Sequence, residues 1–141
     1  MTFVTVGACA LGLISFGAAR LAHAADAALP YDVKNGDQVD MGTYKGFLYY
    51  GDECLRCHGP DGMGSSYAPN LTQSLKVLSK EQFESTVING KKEVSASSDL
   101  VMPSFGLNED VVDNLDHIYG YLKARSDGAL GRGHPNHLPG Q

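Results

Sequence analysis

The sequence predicts a small all-α domain, and three observations support this prediction. Apolar residues recur at helical spacing in the stretches 43–54, 79–90 and 108–125. Capping residues mark the ends of these stretches. No alternation of strand and helix patterns is visible between them, and 141 residues are enough for one domain. We therefore expect helices packed around one small core.

Composition narrows the classes of function. The chain has a formal net charge of −5, with 17 glycines, 6 prolines and no tryptophan. An acidic chain without a basic run is a poor candidate for binding nucleic acid. We therefore expect a soluble protein whose partners are proteins or a cofactor.

The first residues have the composition of a secretory signal. Residues 2–19 carry no charge, and Ala22-His23-Ala24 places small residues where a signal peptidase needs them. We predict a signal peptide at 1–24, cleaved after Ala24, which leaves about 117 residues without a transmembrane span. Because no Lys or Arg precedes the apolar run, an uncleaved anchor remains an alternative. A lipoprotein site at Cys9 is disfavoured, since the apolar run continues beyond it.

The next segment, residues 25–42, is predicted as a polar N-terminal arm. Asn35-Gly36 lies between the β-branched residues Val33 and Val39, a pattern typical of a small hairpin. An irregular arm lying on the domain is an equally good interpretation, because the segment lacks apolar periodicity.

A first helix is predicted from Thr43, its cap, to Cys54. Phe47, Tyr50 and Cys54 fall on one face of it. Gly46 lies inside the helix, where glycine costs stability relative to alanine. Either another helix crosses closely at this glycine, or glycine is simply tolerated there.

A short helix and a longer helix are predicted in the middle of the chain. The leucines between Leu71 and Leu78 recur at helical spacing. Ser79 begins the longer helix, where Gln82 completes a capping box, and Gly90 ends it. The serine-rich residues 91–99 are predicted as a loop.

The last helix is predicted from Asn108, its cap, to Arg125. His117 lies on its polar face, so we expect a solvated surface residue. Residues 126–141 are rich in glycine and proline and are predicted to form an extended or disordered tail. The folded domain itself would then cover residues 43–125.

The stretch Cys54-Leu55-Arg56-Cys57-His58 has the most specific chemistry. Two thiols three positions apart, with a histidine directly after the second, form the attachment site of a c-type haem. Each thiol adds to one vinyl group of the porphyrin edge, and His58 binds the iron from the proximal side. We therefore predict one covalently bound haem c, held by Cys54, Cys57 and His58. In so short a chain the haem would also supply much of the apolar interior.

Two other interpretations of this motif are disfavoured. A zinc site needs four ligands, and the remaining cysteine, Cys9, lies in the predicted signal peptide. A thioredoxin-like redox pair belongs at a strand-to-helix turn of a βαβ unit, and no such pattern is visible.

Two further residues are candidates to complete the haem site. The carbonyl of Pro69 could accept the Nδ1–H of His58, which would fix the ring and raise its basicity; an ordinary loop proline is the alternative. Met102, followed by Pro103, lies far enough along the chain to reach the opposite face of the haem. A thioether is a good soft ligand for haem iron, although a lone methionine is more often core filler. Less suitable candidates for this sixth ligand are Met41, Met63, His117, His134 and His137.

Several features stand in a characteristic order between residues 43 and 125. They are Gly46, Tyr50, Cys54-x-x-Cys57-His58-Gly59, Pro69-x-Leu71, Met102-Pro103 and Ile118-x-x-Tyr121-Leu122. In this combination the sequence resembles a class I cytochrome c. The resemblance implies an all-α fold of helices wrapped around one haem. It also implies that the first and last helices cross near Gly46, with Tyr50 and Tyr121 packing there.

A narrower resemblance rests on Cys-x-Arg-Cys-His-Gly at 54–59, Gly64-Ser65, Ala68-Pro69 and the helix ending 121–128. These features are similar to small periplasmic cytochromes that serve quinoprotein, PQQ-dependent, alcohol or methanol dehydrogenases. The resemblance implies that such an enzyme is the electron donor. The acceptor would be a downstream cytochrome or a terminal oxidase. The resemblance implies no catalytic residue for alcohol oxidation in this chain.

Three hypotheses for function follow from these predictions. The first is a periplasmic one-electron carrier with the iron closed by His58 and Met102. The second is a haem enzyme or ligand sensor, in which the sixth position of the iron is open. The third is a cytochrome subunit of a larger membrane-associated oxidoreductase complex.

Overall fold

The structure is a computed structural model that describes residues 28–94 and 99–140. Over these residues the chain is mainly helical, as predicted, and none of the described helices is long and apolar enough to cross a membrane. The predicted signal peptide at 1–24 and Cys9 lie outside the described residues. The helices are α1 (Met41–Tyr49), α2 (Leu55–His58), α3 (Leu71–Ser74), α4 (Lys80–Asn89), α5 (Glu109–Asp113) and α6 (Leu115–Ser126). The strands are β1 (Val33–Lys34), β2 (Gln38–Val39), β3 (Lys91–Val94), β4 (Asp99–Met102) and β5 (Asn136–His137).

Helices α1 and α6 cross in direct backbone contact at the centre of the core. A Cβ atom placed on Gly46 would lie 1.9 Å from the carbonyl oxygen of His117, so a larger residue would force the helices apart. The rings of Tyr50 and Tyr121 are buried beside this point, with centroids 5.4 Å apart. The prediction that a helix crosses closely at Gly46 is therefore confirmed.

The first helix begins at Met41, earlier than predicted, and Asp40 caps it instead of Thr43. The Asp40 carboxylate accepts hydrogen bonds from the backbone N–H of Thr43 at 2.9 Å and from its hydroxyl at 2.6 Å. It also accepts one from the N–H of Asp32 at 2.7 Å. The prediction of Thr43 as the cap is wrong because Asp40 both caps the helix and ties it to the arm.

A π-helical turn, Tyr50–Cys54, carries α1 into α2 and so into the haem motif. The N–H of Leu55 bonds to the carbonyl of Tyr50, which continues the wider turn. The predicted helix is thus continuous through the motif, but its last part is widened. Because π turns are frequent at functional sites, this change of pitch where the cysteines begin is consistent with the motif's role.

The middle helices follow their capping signals. Asn70 caps α3 by accepting a hydrogen bond from the N–H of Gln73. Ser79 and Gln82 form the predicted capping box of α4, with both hydrogen bonds present. Gly90 ends α4 with φ +73°. These local signals were sufficient to predict α4.

The prediction of a loop at 91–99 is wrong, because β3 and β4 form an antiparallel hairpin there. Lys91 pairs with Met102, and Lys92 pairs with Val101. The tip, residues 95–98, lies outside the described residues. Strand β3 is mostly charged and β4 is a short apolar run, so neither strand alternates polar with apolar residues. The pairing of the two backbones was therefore not visible in the sequence.

The last helical stretch is divided at Asn114 into α5 and α6. Asn108 caps α5, as predicted, by accepting from the N–H of Val111 at 3.2 Å. Asn114 leaves the helical region with φ −114° and ψ 15°, and its side chain donates to the carbonyl of Asp110 at 3.0 Å. This local hydrogen bond competes with the backbone ladder and explains the break.

His117 is half-buried, so its prediction as a solvated surface residue is wrong. Its carbonyl meets Gly46, and a Cβ placed on Gly42 would lie 3.2 Å from its ring Nδ1. The close approach of α1 therefore covers this side of α6.

The arm and the tail form one small sheet. The predicted hairpin is present: β1 and β2 are antiparallel, with Asn35 and Gly36 at positive φ. Strand β5, from the tail, pairs with β2 in parallel. Leu130, Pro135 and Leu138 are buried. The tail is thus packed on the domain, which corrects its prediction as extended or disordered; its apolar residues are too irregularly spaced to show a pattern.

Candidate haem site

A cavity of about 470 Å³ lies between α2, the helices α3 to α6 and the β3–β4 hairpin. Its walls are mainly apolar, and Cys54, Cys57, His58, Pro69 and Met102 all line it. The structure thus brings together the five site residues predicted from positions far apart in the chain. The core contributes Leu71, Phe83, Val87, Phe105, Ile118 and Leu122 to the lining.

His58 is held at the C-terminal end of α2 and is 7% exposed. Its Nδ1 lies 3.1 Å from the carbonyl oxygen of Pro69, the distance of a hydrogen bond in which Nδ1–H donates. Burial lowers the pKa of His58 below its ordinary value, and the Pro69 carbonyl opposes this in part. The ring is therefore neutral and oriented, with Nε2 left for another partner.

The loop after His58 is held by the buried hydroxyl of Tyr50. This hydroxyl donates to the carbonyl of Gly59 at 2.5 Å and accepts from the N–H of Gly62 at 3.1 Å. Gly59 has φ +71°, and a Cβ on it would lie 2.5 Å from the carbonyl oxygen of Gly64. The loop from Gly59 to Gly64 therefore folds back so closely that only glycine fits at residue 59.

The segment that carries Pro69 is fastened to α6. The hydroxyl of Ser126 donates to the carbonyl of Thr72 at 2.7 Å, and this contact is buried. Thr72 in turn donates to the side chain of Asn70, the cap of α3, at 2.7 Å. Helix α6 thus holds the segment whose Pro69 carbonyl faces His58.

Met102 is the last residue of β4 and is half-buried. Of the methionines in the described ranges, Met102 lines the cavity, whereas Met41 and Met63 do not. The described histidines other than His58 lie elsewhere. His117 packs against α1, and the rings of His134 and His137 lie against Tyr44.

An ionic network at the loop after the motif was missed by the sequence analysis. The Asp61 carboxylate lies 3.6 Å from the guanidinium of Arg125 and 3.0 Å from Nε of Arg132. It also accepts from the N–H of Gly133 at 3.0 Å. The Asp61-Gly62 dipeptide marks a turn, but nothing in the sequence shows that its partners lie in the tail.

Comparisons with known proteins identify the family. Residues 44–122 match the family model described as cytochrome c oxidase, cbb3-type, subunit III. The chain is 44% identical to cytochrome c-553I of Paracoccus denitrificans over 105 residues, which are 74% of this chain and 46% of the relative. It is 43% identical to cytochrome c-555 of Methylococcus capsulatus over 96 residues, which are 67% of this chain and 72% of the relative.

A solved structure agrees with these relatives. The crystal structure of the c-type cytochrome XoxG from Methylobacterium extorquens AM1 superposes with a TM-score of 0.67 at 45% sequence identity. The match covers 74% of this chain and 64% of that one. The chain thus spans less than half of cytochrome c-553I and under two thirds of XoxG.

The residues present fit a covalently bound haem. Cys54 and Cys57 are both free thiols. They border a mainly apolar cavity that a flat apolar group would fill, beside a buried histidine whose Nδ1 is already engaged. The chain therefore belongs to the c-type cytochrome family, with the class I fold and one covalently bound haem c.

Proposed function

We propose that this chain is a one-electron carrier whose haem iron is bound by His58 and Met102. The observation that carries the proposal is that Cys54, Cys57, His58 and Met102 all line the same cavity. The two cysteines would form the thioether bonds to the haem. When bound, the haem supplies a one-electron iron couple, and a thioether ligand raises its potential relative to a second histidine.

The contacts of the two ligands support a closed site. Pro69 holds Nδ1 of His58, which leaves Nε2 for the iron and raises the basicity of the ligand. Met102 is paired with Lys91 in the hairpin, so its backbone is fixed at the edge of the cavity. An iron bound by two protein ligands has no open position for a substrate. Such a site suits electron transfer better than haem enzymology or ligand sensing.

Replacing the proposed thioether ligand tests this site. Absorption spectra of the wild-type ferric protein should be low-spin, with the sulfur-to-iron charge-transfer band. Met102→Ala should lose that band and have a lower reduction potential, because the soft ligand is gone. Met63→Ala is the matched control: Met63 is 42% exposed and does not line the cavity, so the band should stay.

Two results would contradict the carrier proposal. One is a high-spin ferric spectrum of the wild-type protein with carbon monoxide binding to the reduced form. The other is an unchanged charge-transfer band in Met102→Ala. The first would favour an open site, and the second would assign the sixth position to another residue.

We propose further that the donor is a quinoprotein, PQQ-dependent, alcohol or methanol dehydrogenase in the periplasm. The support is the resemblance carried by residues 54–59, Gly64-Ser65, Ala68-Pro69 and 121–128. The acceptor would be a downstream cytochrome or terminal oxidase. Export is supported by the sequence of residues 1–24 and by the haem motif itself.

Mixing the oxidised cytochrome with such a dehydrogenase tests the donor. With alcohol present, the haem should be reduced within the turnover time of the enzyme, and without alcohol it should stay oxidised. Failure to be reduced would remove this donor but leave the carrier proposal intact. Mass spectrometry of a periplasmic extract tests export, and the expected species begins at residue 25 and carries one haem.

A second candidate function is that of a subunit in a larger oxidase complex. The observation that favours it is the matching family description, a subunit of cbb3-type cytochrome c oxidase. Native electrophoresis of gently solubilised cells separates the two candidates. A carrier migrates alone in the soluble fraction, whereas a subunit migrates with the complex in the membrane fraction.

A further inference from the structure

We propose that Gly90 and Ser104 are positioning residues that keep Met102 on the haem iron by joining the segment after Met102 to the end of α4. This inference rests on the proposed ligation of the iron by Met102. It adds to that proposal the residues on which the ligand's position depends.

Gly90 is the point where the chain turns from α4 into β3. Its φ is +73°, which side chains other than glycine rarely adopt. A Cβ atom there would lie 2.6 Å from the carbonyl oxygen of Met102 and 2.8 Å from the backbone nitrogen of Ser104. Both contacts are with backbone, so they cannot be relieved by turning a side chain. The end of α4 and the backbone of Met102 are therefore in direct contact.

Hydrogen bonds fasten the next residues to the same helix end. The hydroxyl of Ser104 donates to the carbonyl of Ile88 at 2.5 Å. The N–H of Phe105 donates to the carbonyl of Val87 at 3.0 Å, and that of Gly106 to Ile88 at 3.1 Å. The last carbonyls of a helix have no partner within it. The segment after Met102 therefore completes α4 instead of lying loosely over it.

The same helix forms a wall of the haem cavity. Phe83 and Val87 of α4 are buried and line the cavity, as does Phe105 of the attached segment. On its other side Met102 pairs with Lys91, the residue directly after Gly90. Gly90 thus joins the two elements that contact Met102, the end of α4 before it and strand β3 after it. Moving the backbone at Gly90 would move the thioether relative to the cavity.

Imidazole competes with a methionine for ferric haem iron, so its affinity reports how firmly Met102 is held. The experiment measures imidazole binding, the charge-transfer band and the potential in the full-length holoprotein. Gly90→Ala should raise imidazole affinity by about tenfold or more and weaken the band, because we expect backbone overlap to cost about 1.4 kcal/mol or more, the equivalent of tenfold. Ser104→Ala should raise it roughly fivefold, for one lost hydrogen bond. Ser104→Thr, which keeps the hydroxyl, should restore the wild-type affinity.

Gly128→Ala is the matched control. Gly128 has φ +75°, close to that of Gly90, but a Cβ there would meet nothing within 4 Å. It therefore causes the same backbone strain without touching Met102. Its unfolding midpoint should fall, whereas its imidazole affinity, band and potential should match those of the wild type.

The outcomes separate this inference from the ligand proposal on which it rests. A wild-type protein without the charge-transfer band would overturn both. Wild-type affinity in Gly90→Ala and Ser104→Ala, with the band present, would overturn the positioning role alone. An equal rise in Gly128→Ala would overturn it too, since the effect would then follow stability in general. If Gly90→Ala yields no folded holoprotein, the Ser104→Ala and Ser104→Thr pair decides.

Discussion

The two sides of the haem cavity are built in different ways. The proximal segment, residues 54–72, is bound to the core of the molecule at several points. The buried hydroxyl of Tyr50 closes its first turn, and Ser126 at the end of α6 holds its last part. The distal segment, residues 90–106, is a two-stranded hairpin followed by the residues attached to the end of α4.

Met102 on the distal side is also more exposed to solvent than His58 on the proximal side. His58 is 7% exposed, whereas Met102 is only half-buried and its neighbour Val101 is 62% exposed. A two-stranded hairpin alone is marginally stable, so the distal segment depends on its contacts with α4. Damage to the proximal segment should therefore lower the stability of the whole domain. Damage to the distal segment should instead release Met102 from its proposed place on the iron while the fold remains.

The largest expected effect is at the helix crossing that supports the proximal segment. Gly46→Ala places a Cβ 1.9 Å from the carbonyl oxygen of His117, and neither helix backbone can move aside without unpacking Tyr121. We expect a loss of about 3 kcal/mol or failure to fold, at the upper end for overpacked cores. Denaturant unfolding of the holoprotein measures it. Gly51→Ala is the control, because a Cβ at Gly51 meets nothing within 4 Å. Equal stability of the two variants would show that the crossing is not tight.

The next largest effect is expected at Tyr50. Burial raises the pKa of Tyr50 well above its ordinary value, so its hydroxyl stays protonated and donates to Gly59. Tyr50→Phe leaves the Gly59 carbonyl and the Gly62 N–H without this partner, which should cost about 2 kcal/mol. Tyr67→Phe, at a residue 73% exposed, should change the free energy of unfolding by less than about 0.5 kcal/mol.

Spectra of Tyr50→Phe sharpen the comparison of the two sides. The charge-transfer band should be unchanged, because Met102 is held by α4 and not by Tyr50. If the band were lost together with stability, the two segments would behave as one unit, and the distinction drawn between them would be wrong.

Features set by neighbouring residues were predictable from the sequence. The capping box of Ser79 and Gln82, the cap at Asn108 and the end of α4 at Gly90 each need partners within a few residues. At Gly46 the local signal left two alternatives, a close helix crossing or a tolerated glycine, and the family resemblance favoured the crossing. In the proximal segment, the Cys54-x-x-Cys57-His58 motif is likewise a signal between neighbouring residues.

Features that depend on distant partners were not predictable. The two strands of the hairpin have four residues each and show no alternation of polar and apolar residues, so the hairpin depends on α4 and the cavity wall rather than on its own pattern. Asp40 and Thr43 are both good helix caps, and the bond from Asp32 decides between them. The tail packs with Leu130 in the core and Leu138 buried, and the irregular spacing of these residues in the sequence did not indicate this. The distal segment and the tail therefore had to be seen in the structure.

The smallest expected effect is at Asp61, which links the proximal segment to the tail. Partial burial acts to raise the pKa of Asp61, but the N–H of Gly133 and the charges of Arg132 and Arg125 outweigh it and lower the pKa. The ionised carboxylate therefore stabilises the folded state above its unfolded pKa. This contribution is lost as pH falls through the lower, folded pKa.

Asp61→Asn removes the charge while keeping the backbone, because asparagine tolerates the φ of +60° found at this position. At pH 7 the variant should be less stable than the wild type by about 1 kcal/mol, because Arg125 lies 3.6 Å away, the nearer partner Arg132 is 71% exposed, and the amide keeps an oxygen that can accept from Gly133. The difference should shrink in acid, as pH falls below the ordinary pKa of an aspartate and then through the lower pKa of folded Asp61. Unfolding curves at pH 7 and in acid measure both values. If the difference stays constant with pH, the loss of stability comes from a poor fit of the amide, and the charge of Asp61 does not hold the tail on the domain.

Because Met102 lies outside this network, imidazole affinity should be the same in both proteins at pH 7. The stability of the proximal side would then depend on pH through its link to the tail, independently of Met102, the proposed distal ligand.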